Sequence, residues 1–153
     1  MLFRSETQAL LEFIPIITNE KIVIKFITPS ATEPYVFVGH LHEIPSRFQI
    51  SQGQQVYVLG FISPEFIKNQ KVQFSKAYNK MLISDMVKDI YEQHLKGVTG
   101  KNIIVIPTTD QTSRVVPTMN PFKAINWLTK WSVSPSYRSG VSYVFFENQT
   151  GYY

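Results

Sequence analysis

The spacing of apolar residues changes near residue 80, and this change restricts the chain to a mixed α+β fold. Before it, β-branched and aromatic runs alternate with short turn signals, which is typical of strands. Pro15 places the first run at a sheet edge, and Thr28–Ser30, Pro45 and Ser63–Pro64 are predicted to end the next three. An antiparallel barrel or sandwich is therefore predicted over residues 1 to about 80. The runs are Leu10–Ile14, Ile22–Ile27, Tyr35–His42, Gln55–Ile62 and Lys71–Ser75.

Two of these runs carry finer predictions. Ile22–Ile27 is almost continuously apolar, so this strand is predicted to be largely buried. Lys71–Ser75 alternates between polar and apolar residues. Because side chains on a strand alternate between faces, Lys71, Gln73 and Ser75 should share one polar face. That face contacts either outside solvent or the water-filled interior of an assembly.

After residue 80, apolar residues recur every three or four positions, which predicts helices. The first helix is predicted over Leu82–Leu95, with Ser84 as its N-cap and Lys96–Gly97 at its end. Ile103–Pro107 then has the composition of a short buried strand. Thr108–Thr118 is predicted to be a polar loop.

The second helix has clearer end signals. Asn120 is a natural N-cap, and Pro121 occupies the first helical position, where its missing N–H costs nothing. Ser134–Pro135 stops this helix, which is apolar over most of its circumference. A strand over Val141–Glu147 and a turn over Asn148–Gly151 follow, with the glycine expected at positive φ.

Charge and cysteine content exclude several classes of protein. The 153 residues contain no cysteine, which excludes disulfide frameworks, thiolate metal sites and cysteine nucleophiles. The net charge of +4 is spread along the chain, and its densest cluster is Lys68, Lys71, Lys76 and Lys80. This distribution favours solvated surface over a dedicated nucleic-acid site.

No apolar run has the roughly 18–20 residues of a membrane span, and no signal peptide precedes the fold, so a soluble protein is predicted.

Two groups of polar residues are candidates for chemical sites. His40 and His42 lie two apart on a predicted strand, so both imidazoles face one side, where a metal site could begin if a third ligand were near. Asp85, Asp89 and Glu92 lie on the first helix among lysines, which favours a solvated face over acid–base chemistry. No nucleophile elbow or phosphate-binding glycine loop is present. The sequence therefore predicts no catalytic residue, no metal and no cofactor.

Strand aromatics give the main alternative function. Such side chains could stack on bases, as in a single-stranded nucleic-acid-binding barrel of the OB type. Small barrels also fill their interiors with aromatic residues, and core packing is the favoured interpretation. The residues are Tyr35, Phe37, Tyr57, Phe61 and Phe74.

The last 34 residues resemble the helix–loop–hairpin of phage baseplate hub proteins. The resemblance is carried by Asn120–Leu128, Ser132–Ser134 and Val144–Tyr152, and Leu82–Leu95 fits the first helix of that family. More remotely, the segment is similar to late control protein D of temperate phages and to type VI secretion spike proteins. The family-motif packing residues are Pro121, Phe122, Ala124, Ile125, Trp127, Leu128, Trp131, Phe145, Phe146 and Gly151.

The resemblance implies a structural virion protein of a contractile tail, assembled in the host cytoplasm, and no enzyme. Subunits of this family form trimers in which tube-like β-domains make a ring of pseudo-sixfold symmetry. The ring contacts the tail tube protein, the central spike protein and baseplate wedge proteins, and its lumen passes DNA with transient non-specific contact. Lys71, Gln73 and Ser75 are candidates for this lumen face.

The predicted architecture is a tail-tube-like antiparallel β-barrel domain with one helix over residues 1–107, followed by the start of an α/β region over residues 108–153. The second region ends with Tyr152–Tyr153, which is too short to complete a hairpin ladder. The sequence therefore predicts that the region is incomplete and belongs to a longer protein or is completed by a partner. Trp131 is predicted in its core.

Overall fold

The computed structural model describes residues 2–5, 19–29, 32–51, 54–98, 100–136, 143–148 and 150–153. The predicted strand over Leu10–Ile14 lies outside these ranges. The strands are β1 (Leu2–Ser5), β2 (Lys21–Phe26), β3 (Tyr35–Ser51), β4 (Gln54–Ile62), β5 (Phe74–Met81), β6 (Asn102–Ile103), β7 (Thr112–Met119) and β8 (Gly151–Tyr152). The helices are α1 (Pro64–Lys71), α2 (Ile83–His94) and α3 (Pro121–Thr129).

The described residues confirm a mixed α+β fold, but they contain no closed barrel. One antiparallel sheet has the strand order β1-β4-β3-β2, β5 pairs antiparallel with β7, and β6 pairs parallel with β8. The chain divides into two compact units, Met1–Pro64 (unit 1) and Glu65–Tyr153 (unit 2). The predicted boundary after residue 107 falls inside unit 2, where it would separate the strands of both two-stranded sheets.

The long hairpin of β3 and β4 forms the centre of unit 1. Pro45 does not end β3 as predicted, because the register shifts between Glu43 and Ser46 form an irregularity that accommodates a residue without an N–H. The core of this unit is small: Leu41, Tyr57 and Leu59 are buried together.

Strand β2 is less buried than its apolar sequence predicts. It lies at one edge of the sheet, and Val23 and Phe26 are both about half exposed. A continuous apolar run predicts burial on both faces only if other elements cover both faces. Within the described residues of unit 1, no helix covers this sheet.

Helices α2 and α3 pack together to form the core of unit 2. The predicted helix over Leu82–Leu95 is confirmed as α2, although Ser84 is not its cap: Leu82 occupies that position and Ser84 is buried. Val116 of β7 and Tyr152 of β8 complete the core. The buried helical residues are Ile83, Met86, Val87, Ile90, Tyr91, Ala124, Ile125 and Leu128.

Helix α3 begins as predicted, with Asn120 at the N-cap and Pro121 at the first position. The Asn120 side chain does not cap its own helix. Its amide instead donates hydrogen bonds to the backbone oxygens of Asn69 (2.9 Å) and Val72 (3.2 Å). In return, the side-chain oxygen of Asn69 accepts the Phe122 N–H at 2.8 Å, so α1 provides the cap of α3.

Three elements were not predicted from the sequence: strand β1, helix α1 and strand β7. Ser63–Pro64 marks the start of α1, because proline suits the first turn of a helix as well as the end of a strand. The polar loop predicted over Thr108–Thr118 is mostly strand β7, and Pro117 fits there at a register shift. The β-branched residues of this segment favour a strand, but its many polar residues led to the prediction of a loop.

At Gly151, strand β8 lies unusually close to the backbone of β6. A Cβ on Gly151 would lie 2.3 Å from the Asn102 backbone oxygen. Positive φ was expected at this glycine, but among the described glycines only Gly97 and Gly100 have it. Gly151 is therefore required by strand proximity and not by turn conformation.

Candidate interaction surfaces and polar clusters

The two histidines of β3 have different environments. Nδ1 of His40 lies 3.0 Å from the Asn19 backbone oxygen, whereas His42 is exposed. Among the described residues, no group of three or more metal-ligating side chains is arranged to hold a metal ion. The pair therefore has no third ligand within the described part of the chain.

Asp89 is the centre of a polar cluster on α2, which differs from the solvated face predicted for it. Its Oδ2 accepts hydrogen bonds from Lys76 Nζ and from the Tyr78 hydroxyl, both at 2.7 Å, and its Oδ1 accepts one from Gln93 at 2.7 Å. The donors on β5 thereby connect the β5–β7 pair to the helix. Both carboxylate oxygens of Asp89 have a donor from within unit 2, which is typical of a structural role.

A second cluster surrounds the first turn of α1. Burial raises the pKa of Glu65, an effect that its backbone hydrogen bond and the Lys101 charge oppose. Lys101 forms an ion pair with Glu147. Tyr91 donates a 2.7 Å hydrogen bond to the Lys101 backbone oxygen, and burial raises its pKa to about 12. These groups join α1, α2 and the segments that precede β6 and β8.

The residues that carry the family resemblance lie in and around the unit 2 core. Phe122 packs on Phe145 and Tyr152 with ring centroids 5.4 and 5.8 Å apart. Two members lie at the surface: Trp131 is 48% exposed and Phe146 is 51% exposed. Placement of Trp131 in the core is therefore wrong. The buried members are Pro121, Ala124, Ile125, Leu128 and Gly151, and Phe122, Trp127 and Phe145 are partly buried.

The three candidates for a lumen face do not share a strand. Lys71 is the last residue of α1, Gln73 lies in the connection, and Ser75 is the second residue of β5. All three side chains are exposed. Of the strand predicted over Lys71–Ser75, only Phe74 and Ser75 lie in a strand, because Lys71 is the end of α1 and residues 72–73 connect the helix to β5. Without that strand, no periodicity argument places the three side chains on one surface.

The aromatic residues considered for base stacking are engaged in packing. Tyr57 is 3% exposed within the unit 1 core, and the Phe37 and Phe61 rings meet edge to face at 6.4 Å. Phe74 of unit 2 stacks on His94 at 4.4 Å. Tyr35 packs on Phe26 at 4.5 Å. These contacts favour the packing interpretation of all five.

The described part of unit 1 exposes seven large apolar side chains on both faces of its sheet, since Val23 and Phe26 lie three residues apart on β2. Single exposed apolar residues are normal on proteins, but a set within one small sheet is a candidate interaction surface. We call this set the unit 1 apolar surface. It comprises Val23, Phe26, Ile27, Val36, Ile44, Phe48 and Ile50.

Unit 2 contains a groove with a volume of about 570 Å³ between two extended segments, residues 103–106 and 143–146. Helices α2 and α3 form its floor through Ser84, Val87, Ile125 and Thr129. None of the residues that line the groove is charged. Both segments were predicted as strands, but of residues 103–106 only Ile103 belongs to a strand, and residues 143–146 belong to none. Ile104 and Ile106 are exposed, so the predicted burial of Ile103–Pro107 is also wrong.

The backbone contacts show how the groove arises. Ile104 N–H donates to the Tyr152 oxygen at 2.8 Å on one side of β8. On the other side, Phe146 and Tyr153 exchange two hydrogen bonds of 3.0 Å. At the far end the Tyr143 hydroxyl donates to the Pro107 oxygen at 3.0 Å, which ties the walls together.

No protein-family model, curated protein or solved structure matches this chain. The resemblance to baseplate hub proteins therefore stays a prediction from the residues that carry it. Among the described residues, no helix is long and apolar enough to cross a membrane.

Proposed function

We propose that this chain is a structural subunit of a phage tail baseplate hub, which acts by assembly and carries out no reaction. The observation that carries the proposal is the imbalance in unit 1 between a small core and the unit 1 apolar surface. Three residues form the buried cluster of the described sheet, whereas seven large apolar side chains are exposed. A sheet of this kind gains stability when a neighbouring subunit covers it.

The sheet edges support the same conclusion. Strands β1 and β2 are the outermost strands of the described sheet, and no other described strand pairs with the outer side of either. Ring assemblies satisfy the backbone groups of such edge strands by pairing edges between subunits, because closure leaves no edge exposed. In the proposed hub, a trimer with two tube-like β-domains per subunit would close a pseudo-sixfold ring in this way.

The proposed partners follow from the resemblance carried by α3 and the hairpin before β8. One face of the ring would contact the tail tube protein and the other the central spike protein, with baseplate wedge proteins around it. The protein would assemble in the host cytoplasm and remain in the virion. DNA passing through the lumen would make weak, salt-dependent contacts with the basic chain.

Native mass spectrometry and analytical ultracentrifugation test the proposal. The purified chain, alone and mixed with the tail tube and spike proteins of a contractile-tailed phage, should form trimers, rings or mixed complexes. Replacing Phe48 and Ile50 together by serine should abolish assembly without lowering the unfolding temperature, because both are exposed. Gln49→Ser, between them on the same strand, is the matched control and should assemble normally.

A chain that stays monomeric and joins neither partner would overturn the proposal. The alternative, a single-stranded nucleic-acid-binding protein, predicts a different result in the same samples. A monomer would then bind oligonucleotides tightly, and replacing Tyr57 or Phe74 would greatly weaken that binding.

A further inference from the structure

We infer that unit 2 binds a single strand of DNA or RNA on an exposed surface of α3 and β7. We call it the basic–aromatic surface, and it comprises Arg114, Lys123, Trp127, Lys130 and Trp131. This inference concerns unit 2 alone and does not depend on the hub proposal. It also uses none of the strand aromatics considered above for base stacking, which are engaged in packing.

The first argument is the origin of the net charge. The chain has 15 basic and 11 acidic residues, which gives a net charge of +4. Residues 111–146, which contain β7 and α3, include no acidic residue and four basic ones: Arg114, Lys123, Lys130 and Arg138. The rest of the chain has 11 residues of each sign. The whole net charge therefore arises in this segment, and a surface of one sign attracts anions.

The second argument is the placement of the side chains on α3. Lys123, Trp127 and Lys130 follow one another at intervals of four and three residues, which places them on one face of the helix. Ile125, on the opposite side of the helix, is buried in the unit 2 core. Both lysines are exposed, and neither forms an ion pair with another described residue. Their charges are therefore not neutralised within the described part of unit 2.

The third argument is the pair formed by Arg114 and Trp131. Strand β7 contacts α3, and the guanidinium carbon of Arg114 lies 4.5 Å from the centre of the Trp131 ring. Trp131 is nevertheless 48% exposed. No described carboxylate forms an ion pair with Arg114, and its buried Nε has no hydrogen-bond partner among the described residues. The pair thus presents a flat ring beside a cation whose charge no described residue neutralises.

The ligand must match both a flat ring and several cations. The face of an aromatic ring carries partial negative charge, so it repels carboxylates and accepts flat π-systems. An acidic protein segment would therefore use the lysines but not the ring. The bases of a single strand stack on exposed aromatic side chains while its phosphates contact basic ones. In a duplex the bases are already stacked on one another, so a single strand is the form that fits.

The test uses the full chain with a thymidine DNA decamer and a uridine RNA decamer. Trp127 and Trp131 are the two tryptophans of the chain, so tryptophan fluorescence reports on this surface directly. Either strand should quench the fluorescence saturably, and the tighter one shows which of the two the surface favours. A DNA decamer without bases keeps the phosphates and should bind about tenfold more weakly. For three cations, log K should fall against log salt with a slope of about −2.

Aromatic variants isolate the stacking contribution, with binding followed by the fluorescence anisotropy of a labelled decamer. Trp131→Ala should weaken binding of the thymidine decamer about tenfold and leave binding of the decamer without bases unchanged. Trp131→Phe keeps a ring and should restore most of the affinity. The matched control is Phe146→Ala, at an aromatic residue of similar exposure (51%) outside this surface.

Lysine variants isolate the charge contribution. Lys130→Gln removes one cation and should make the salt slope shallower by about 0.7. Lys88→Gln, at an exposed position of α2, is the control and should leave the slope unchanged.

Three results would overturn the inference. The first is the absence of quenching by both strands. The second is a loss of affinity in Trp131→Ala that is equal for decamers with and without bases. The third is a glutamate decapeptide that binds as tightly as the thymidine decamer, which would make an acidic protein segment the ligand.

Discussion

The hydroxyl of Tyr78 donates a 2.7 Å hydrogen bond to Asp89 Oδ2 and thereby joins β5 to α2. Lys76 Nζ donates to the same oxygen at 2.7 Å. Although partial burial acts to raise the pKa of Asp89, the hydrogen bonds from Lys76 and Tyr78 outweigh burial and hold the pKa below its usual value. The ionised carboxylate is thus the form that the fold stabilises.

Asp89→Ala should lower the free energy of unfolding by about 1.5–3 kcal/mol, because it removes charged hydrogen bonds and leaves the buried Tyr78 hydroxyl without this acceptor. Urea denaturation at neutral pH measures the change. Glu92→Ala on the same helix breaks only an exposed pair with Lys96 and should cost no more than about 0.5 kcal/mol.

The Asp89 effect should also depend on pH. Because the folded pKa is depressed, the stabilisation is present above the unfolded value near 3.9 and is lost as pH falls through the folded value. The stability difference between the native chain and Asp89→Asn should therefore shrink toward acid pH. A difference that is constant from neutral to strongly acidic pH would show that the charge of Asp89 does not contribute.

Glu65 should show the opposite pH dependence. Burial raises its pKa, so the folded state binds its proton more tightly than the unfolded state does. Stability from this group is greatest at low pH and is lost as pH rises from the unfolded value near 4.3 through the raised folded value. Relative to the native chain, Glu65→Gln should therefore gain stability as pH rises from about 4 to 7. Chemical denaturation across this pH range measures the stability difference between Glu65→Gln and the native chain. If the variant instead lost stability relative to the native chain as pH rises, the burial effect would be contradicted.

Trp131→Ala should cost about 1 kcal/mol. The side chain is half exposed and makes a cation–π contact with Arg114 at 4.5 Å and an edge contact with Trp127 at 6.5 Å. Leu128→Ala, at a fully buried position of the same helix, should cost about 2–5 kcal/mol. Thermal unfolding of the two variants compares them directly. Equal losses of stability in the two variants would mean that the Trp131 side chain is buried in solution.

Gly151→Ala should destabilise unit 2 by about 1–3 kcal/mol, because the new Cβ would collide with the Asn102 backbone. Hydrogen exchange should show faster exchange at Ile104, whose N–H bonds to β8. Gly97→Asn is the control: Gly97 has a positive φ of 88° with open space around it, and asparagine tolerates this conformation. If Gly97→Asn lost more stability than Gly151→Ala, the backbone conformation at Gly97 would matter more than the close approach of β8 to β6.

Elements with local signals were predictable. The Asn120–Pro121 start of α3 and the three-to-four residue periodicity of α2 were read correctly, because end signals and periodicity act within a few residues. Strand β4 was also predicted within one residue. Helix α1 was missed because Ser63–Pro64 is equally consistent with the end of a strand and the start of a helix.

By itself, the sequence determined the α+β class, two of the helices and strands β2, β3 and β4. Only the tertiary structure decided which apolar residues are buried and which surfaces remain open. Val23 and Trp131 have core-like sequence contexts and lie half exposed, because burial depends on elements that pack from distant parts of the chain. The groove has the same origin: β8 separates residues 103–106 from 143–146, and no local pattern records that separation.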